Sequence, residues 1–152
     1  MKRKWWIALA VLILDRVSKI PASGLPAGGV VLIPGVIGLR FVKNTGMAFS
    51  LLNGHPWLLG VASALLIAAA FLFLRGKKIA PLPAVGLMMM LGGAAGNMFD
   101  RFITGYVPDM IEFLFMDFAV FNIADTFLCV GCGLLIISLL FRPQDWRDEH
   151  GA

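Results

Sequence analysis

Apolar residues along the chain gather in four runs, separated by segments rich in charge, glycine and proline. The first run, residues 5–14, is long enough to cross a bilayer only if it continues through a charged segment to about residue 20. The other three runs carry at most one charged residue and approach the roughly 20 residues that cross a bilayer core. They cover residues 56–74, 80–99 and 120–141. The pattern therefore predicts four membrane-spanning helices, over about residues 5–20, 56–74, 80–101 and 120–141.

The first run also has features of a cleaved signal peptide, because Lys2, Arg3 and Lys4 precede it. Three charged residues follow the run before the first small-residue cut site, at residues 22–24. That site is late for a signal peptide. We therefore expect the segment to be retained as a helix that packs with the other three.

The segment after the first helix, residues 21–55, is rich in glycine and proline and is predicted to be an outer loop. Residues 30–33 and 39–42 have the β-branched and aromatic composition of short strands. Residues 44–46 have the composition of a turn, and the apolar residues 47–52 suit a short helix lying flat on the membrane. We predict an all-α membrane protein, a single integral domain over residues 1–152, with a small extracytoplasmic β-sheet and a short interfacial helix.

Lysine and arginine concentrate at both ends of the chain and in the loop at residues 75–78. Cytoplasmic loops carry an excess of these residues, so both termini are predicted to be cytoplasmic, with the outer loops at 21–55 and 103–119. Only 14% of residues are charged, against about 25% in a soluble domain. The net charge of +4 thus indicates orientation, and nothing indicates nucleic acid. Four aspartates fall near the outer membrane face: Asp15, Asp100, Asp109 and Asp125.

Carboxylates are the candidate catalytic groups of this sequence. Asp109 and Asp125 each border a long apolar run, and a carboxylate inside a membrane helix costs about 2.5–3.5 kcal/mol, which marks it as a functional candidate. Two carboxylates that share a proton can activate water, since one deprotonates it while the other protonates the scissile carbonyl. Gly105 and Pro108 are predicted to form the turn that brings the two together.

The sequence favours no metal or cofactor chemistry. It contains no HExxH motif, and its two histidines, His55 and His150, are predicted to lie on opposite sides of the membrane. His55 has no GxSG partner for serine chemistry, and no glycine-rich loop has a nucleotide-binding context. Cys129 and Cys132 lie inside an apolar run, where we interpret them as packing residues.

The outer end of the third predicted helix gathers small and polar residues at helical spacing. Gly93, Asn97 and either Asp100 or Arg101 share one face. Small residues allow close approach of helix backbones, and an asparagine can bond across helices. Helix packing alone explains the glycines. It does not explain an amide, an arginine and further aspartates gathered at one level.

Five short motifs follow one another along the chain: Asp15-x-x-x-Lys19, Asn44-Thr45-Gly46-Met47-Ala48-Phe49, Gly92-Gly93-Ala94-Ala95-Gly96-Asn97-Met98-Phe99-Asp100-Arg101, Tyr106-Val107-Pro108-Asp109 and Phe121-Asn122-Ile123-Ala124-Asp125. In this order and at this spacing, they together resemble the bacterial lipoprotein signal peptidase (signal peptidase II) family, over about residues 5–141. Arg16 stands where the family often has glutamine, and Pro108 where it often has valine or isoleucine.

The resemblance implies an aspartic endopeptidase of the bacterial plasma (inner) membrane. It would cut prolipoproteins, within membrane lipid, just before a cysteine that carries diacylglycerol. Asp109 and Asp125 match the catalytic pair of the family. The resemblance implies further roles for other positions: Asn97, Arg101 and Asn122 line the site and hold the substrate backbone, Asn44 and Gly46 belong to a closing loop, Asp15 and Lys19 are supporting, and Asp100 holds Arg101 in place.

Two other functions stay open on the sequence alone. In a small proton-coupled transporter or assembly factor, Asp15, Asp109 and Asp125 would relay protons or pair with Lys19 and Arg101. A transporter usually shows repeated halves or interrupted helices at the membrane midplane, and neither is visible here. A purely structural four-helix protein is the third interpretation. Cleavage of a lipidated precursor peptide by the purified protein would separate all three.

Overall fold

The fold is mostly helical, with one small antiparallel sheet, as predicted. The computed structural model describes residues 4–46, 54–75 and 79–146. The predicted interfacial helix at residues 47–52 lies outside the described residues. The helices are α1 (Trp5–Lys19), α2 (Pro56–Leu74), α3 (Pro81–Ile103) and α4 (Ile123–Phe141), and the strands are β1 (Val30–Ile33), β2 (Ile37–Asn44) and β3 (Val107–Phe113).

The starts of three helices follow from local chemistry. Both α2 and α3 begin with proline at the first helical position, where its fixed φ suits a helix and its missing N–H costs nothing. Helix α4 begins at Ile123 because Asn122 caps it. Phe121, which the apolar pattern assigned to this helix, instead pairs with Ile111 of β3 through backbone hydrogen bonds of 2.8 and 3.0 Å.

Helix α3 packs against each of the other three helices. Its glycines make this approach possible, since an added Cβ at Gly92 would lie 2.6 Å from the carbonyl oxygen of Ala8 in α1. A Cβ at Gly93 would lie 2.5 Å from the carbonyl oxygen of Ala124 in α4. These are the close helix contacts that small residues permit, and they bring the ends of α1 and α4 beside the polar end of α3.

The three strands form an antiparallel sheet in the order β1-β2-β3. Asp109 lies on the central part of β3, opposite Val42 of β2. The predicted turn is correct at Gly105, which has a φ of 76°. It is wrong at Pro108, which lies inside β3 opposite Lys43. Proline is tolerated there because β3 is an outer strand of the sheet.

Two helices among the described residues are long and apolar enough to cross a membrane. These are α3 and α4, with mean hydropathies of 1.4 and 2.2 over their most apolar windows. Helix α1 has 15 residues, and 15 residues of α-helix rise only about 23 Å. The described apolar part of α2 is also shorter than a full span.

Candidate active site

Asp109 is almost completely buried, at 2% exposure, where β3 passes the ends of α3 and α4. Two side-chain amides donate hydrogen bonds to its carboxylate. Asn122 Nδ2 lies 2.6 Å from Oδ1, and Asn44 Nδ2 lies 2.9 Å from Oδ2. Asp109 is therefore held at both oxygens by neutral donors.

Asp125 lies in the first turn of α4, where it forms a capping box with Asn122. The backbone N–H of Asp125 donates to Asn122 Oδ1 at 3.0 Å, and the backbone N–H of Asn122 donates to Asp125 Oδ2 at 3.3 Å. A second donor, Asn97 Nδ2, lies 2.7 Å from Asp125 Oδ1. The partial positive charge of a helix N-terminus favours a carboxylate in this position.

Asn122 joins the two aspartates directly. Its side-chain oxygen accepts the hydrogen bond from the backbone of Asp125, so its Nδ2 has to face Asp109. Asn44 is oriented in the same way, because its Oδ1 accepts from the backbone N–H of Gly46 at 3.0 Å. An amide with its oxygen occupied by a donor can present only N–H groups to a carboxylate, so each amide is fixed in the orientation that the aspartates need.

Four charged side chains form a cluster behind these aspartates. Lys19 Nζ lies 2.8 Å from Asp15 Oδ1 and 2.7 Å from Asp100 Oδ2. Arg16 pairs with the same two carboxylates, bidentately with Asp100 at 2.5 and 2.7 Å, and with Asp15 at 2.7 Å. Two cations thus balance two buried anions. Asp15 also accepts from the backbone N–H of Ala124 at 3.1 Å, which ties the cluster to the start of α4.

Arg101 is not held by Asp100, so that expectation was wrong. The carboxylate of Asp100 is taken by Arg16 and Lys19, and the sequence neighbours point to different partners. Arg101 instead donates from Nη2 to the carbonyl oxygen of Gly46 at 3.2 Å, which joins α3 to the turn after β2. Its Nε is buried and has no hydrogen-bond partner among the described residues.

Burial raises the pKa of Asp109 to about 6. The hydrogen bonds from Asn44 and Asn122 act in the opposite direction because they stabilise the charged carboxylate. The nearby charge of Asp125 raises the pKa of Asp109 further. A carboxyl that titrates close to neutral pH is suited to proton transfer.

Arg16 lies in the charged cluster beside the site, although no role was predicted for it from the sequence. Its signal was present, since a charged residue inside an apolar helix is a functional candidate. Cys129 and Cys132 are exposed on α4, so their interpretation as residues packed inside the protein was wrong. Within the described part of the chain, no three residues among histidine, cysteine, aspartate and glutamate are grouped so that they could hold a metal ion.

Comparison with known proteins gives one consistent family. The sequence model of the family described as Signal peptidase (SPase) II matches residues 7–141. A Lipoprotein signal peptidase of Syntrophomonas wolfei is 40% identical over 152 residues, which cover 99% of each chain. A Lipoprotein signal peptidase of Streptococcus pyogenes is 37% identical, covering 97% of this chain and 96% of its own.

Solved structures agree with this match at the level of the fold. One bacterial membrane enzyme superposes with a TM-score of 0.84 at 29% identity, covering 100% of this chain and 95% of that one. A second bacterial membrane enzyme superposes with a TM-score of 0.81 at 31% identity, covering 93% of this chain and 95% of that one.

Proposed function

This chain belongs to the signal peptidase II family, and from that premise we propose that it is an aspartic endopeptidase that removes signal peptides from prolipoproteins. The cut is on the N-terminal side of a cysteine that carries diacylglycerol. One observation carries the aspartic mechanism: the carboxyl groups of Asp109 and Asp125 are buried and joined through a single residue, Asn122. Carboxylates are the candidate catalytic groups of this sequence, and these two are the pair that one residue connects.

In the proposed reaction, the two aspartates share one proton and hold a water between them. The ionised carboxylate takes a proton from the water as its oxygen bonds to the scissile carbonyl carbon, and the protonated carboxyl gives its proton to the carbonyl oxygen. The gem-diol then collapses with proton transfer to the amide nitrogen, and the C–N bond breaks. The products are the signal peptide with a new carboxylate and a lipoprotein with a new N-terminal cysteine.

Four residues are proposed to complete the site. Asn44 and Asn122 hold Asp109, and their fixed amide orientations support this assignment. Arg101 and Gly46 meet where α3 faces the turn after β2, which suits contact with an extended substrate backbone. Arg101 keeps one buried N–H group unpaired among the described residues, and such a donor is suited to a peptide carbonyl.

We propose that all four helices span the bacterial inner membrane, with both termini in the cytoplasm and the site near the outer face. The apolar helices α3 and α4 support membrane residence, and the lysine and arginine distribution supports the orientation. The substrate fits this location, because its acyl chains and signal helix lie in lipid while its cut site lies at the outer surface.

The proposal is tested with the purified protein in detergent and a synthetic precursor peptide that carries a diacylglyceryl cysteine. The same peptide without the lipid is the control. We expect cleavage immediately before the cysteine, mapped by mass spectrometry, and little cleavage of the unlipidated peptide. If the lipidated peptide stays intact, or if the cut falls elsewhere, the proposed function is wrong.

A further inference from the structure

A hydrogen-bonded chain runs from the buried charge cluster to one aspartate of the pair. Lys19 Nζ donates to Asn97 Oδ1 at 3.1 Å, and Asn97 Nδ2 donates to Asp125 Oδ1 at 2.7 Å. Building on the proposed function, we propose that Lys19 is a positioning residue that acts through Asn97 to keep Asp125 ionised, so that Asp125 is the base and Asp109 carries the proton.

Lys19 fixes which end of the Asn97 amide faces the aspartate. An ammonium group only donates hydrogen bonds, so the oxygen of the amide has to point toward Lys19. The NH₂ end then points toward Asp125, which has to accept. An ionised carboxylate only accepts, so the ionised form of Asp125 matches what Asn97 presents. The charge of Lys19 also polarises the amide, which strengthens its N–H donor.

The charged groups around Asp125 favour the same state. Burial opposes the charge of Asp125, and Lys19 in α1 and Arg101 in α3 act against burial as cations. The N-terminus of α4 adds partial positive charge. Lys19 also acts on Asp109, but its hydrogen-bonded path through Asn97 leads to Asp125. The anions that face this region are Asp109 on β3 and, in the cluster, Asp15 and Asp100. Both cluster anions are paired with Arg16 and Lys19, whereas Asp109 forms no direct ion pair within the described part of the chain.

Asp109 has a different environment. Its two donors, Asn44 and Asn122, are neutral amides, and neither of them accepts a hydrogen bond from a charged group. Of two coupled carboxyls, the one beside cations ionises first and the other keeps the proton. The asymmetry between the two donor sets therefore assigns the proton of the pair to Asp109.

Charge balance alone does not require the bond between Lys19 and Asn97. Arg16 already contacts both Asp15 and Asp100, and the third donor of Lys19 is directed to Asn97. The Lys19 side chain is only 5% exposed, so this donor is not shared with bulk water. Its contact with Asn97 connects the cluster to the catalytic pair.

The test measures kcat, KM and the pH–rate profile for Lys19→Met, Asn97→Leu and the double variant with a lipidated precursor. We expect each single variant to lose roughly 10- to 100-fold in kcat, a part of what a general base contributes. The acidic limb of the profile should move up by about one pH unit, and KM should change little. The double variant should be no slower than the slower single variant, because both changes break one chain.

Arg16→Gln is the matched control, since it removes a cation from the same cluster without touching Asn97. Its acidic limb should move clearly less than that of Lys19→Met. An equal shift would mean that net charge matters rather than the contact with Asn97, and would overturn the proposal. Effects that multiply in the double variant would also overturn it, because Lys19 would then act independently of Asn97.

If Lys19→Met does not fold, the proposal is tested with Asn97→Leu alone, because this variant leaves all four charges of the cluster in place. Wild-type kcat and an unmoved acidic limb in that variant would overturn the proposal. Failure of the proposed function is distinguishable, since then the wild-type protein itself would not cut the lipidated peptide.

Discussion

The side-chain amide of Asn122 donates a 2.6 Å hydrogen bond to Oδ1 of Asp109. The same residue caps α4 through reciprocal hydrogen bonds with Asp125. The residue that starts the helix is therefore also the residue that sets the geometry between the two carboxyl groups. Stability of the helix and geometry of the pair can be separated by choice of substitution at this position.

Asn122→Ala should lower both stability and activity, and Asn122→Ser should lower mainly activity. Alanine removes the cap, which costs about 1 kcal/mol. Serine can still cap the helix, but its side chain is too short to reach Asp109. We expect the thermal unfolding midpoint of the serine variant to lie near the wild-type value while kcat falls strongly in both. A serine variant with wild-type kcat would show that the contact with Asp109 is dispensable.

Burial raises the pKa of Asp109 to about 6, whereas an aspartate in an unfolded chain titrates near 3.9. The folded state therefore holds this proton more tightly. The resulting stabilisation is fully present below about pH 4 and is lost as the pH rises through about 6. The unfolding midpoint of the wild type, relative to Asp109→Asn, should fall between about pH 4 and pH 7. Asp117→Asn, in an exposed loop, is the control. If the unfolding midpoint relative to Asp117→Asn fell with pH in the same way, the raised pKa of Asp109 would not be its cause.

The sequence predicted the helices better than the sheet. The long apolar runs determine α2, α3 and α4 to within a few residues, because a helix satisfies all backbone hydrogen bonds of such a run within the run itself. Strand β3 was not predicted because Pro108 suggests a turn. A proline is tolerated in this strand because β3 lies at the edge of a sheet, and that sheet forms with β2, which is distant in sequence. The cluster partners of Asp100 were also missed. They depend on how α1 packs on α3, which the periodicity of a single helix does not specify.

Gly93→Ala should reduce activity through the packing of α3 against α4. The added methyl would lie 2.5 Å from the carbonyl oxygen of Ala124, so the start of α4 and Asp125 with it would have to move. Such overpacking costs about 1–3 kcal/mol. Gly133→Ala is the matched control, because nothing lies within 4 Å of its added Cβ. We expect lower kcat and a lower unfolding midpoint only for Gly93→Ala, and equal behaviour of the two variants would refute the packing argument.

Arg101→Lys should raise KM more than it lowers kcat. Arginine presents a planar fork that reaches the carbonyl of Gly46, while its Nε–H has no partner among the described residues. Lysine cannot reproduce this geometry although it keeps the charge. The comparison is made by steady-state kinetics with a lipidated precursor. An unchanged kcat/KM would mean that Arg101 contributes only its charge and that the substrate is held elsewhere.

We propose that Asp109 and Asp125 act as the catalytic pair. The direct measurement is the rate of cleavage of a lipidated precursor by Asp109→Asn and by Asp125→Asn, with Asp117→Asn as the control. An asparagine keeps the shape of the side chain but cannot share the proton. We predict that both amide variants fold and lose cleavage, while the control keeps it. Near-wild-type turnover by either amide variant would contradict the assignment of Asp109 and Asp125 as the catalytic pair.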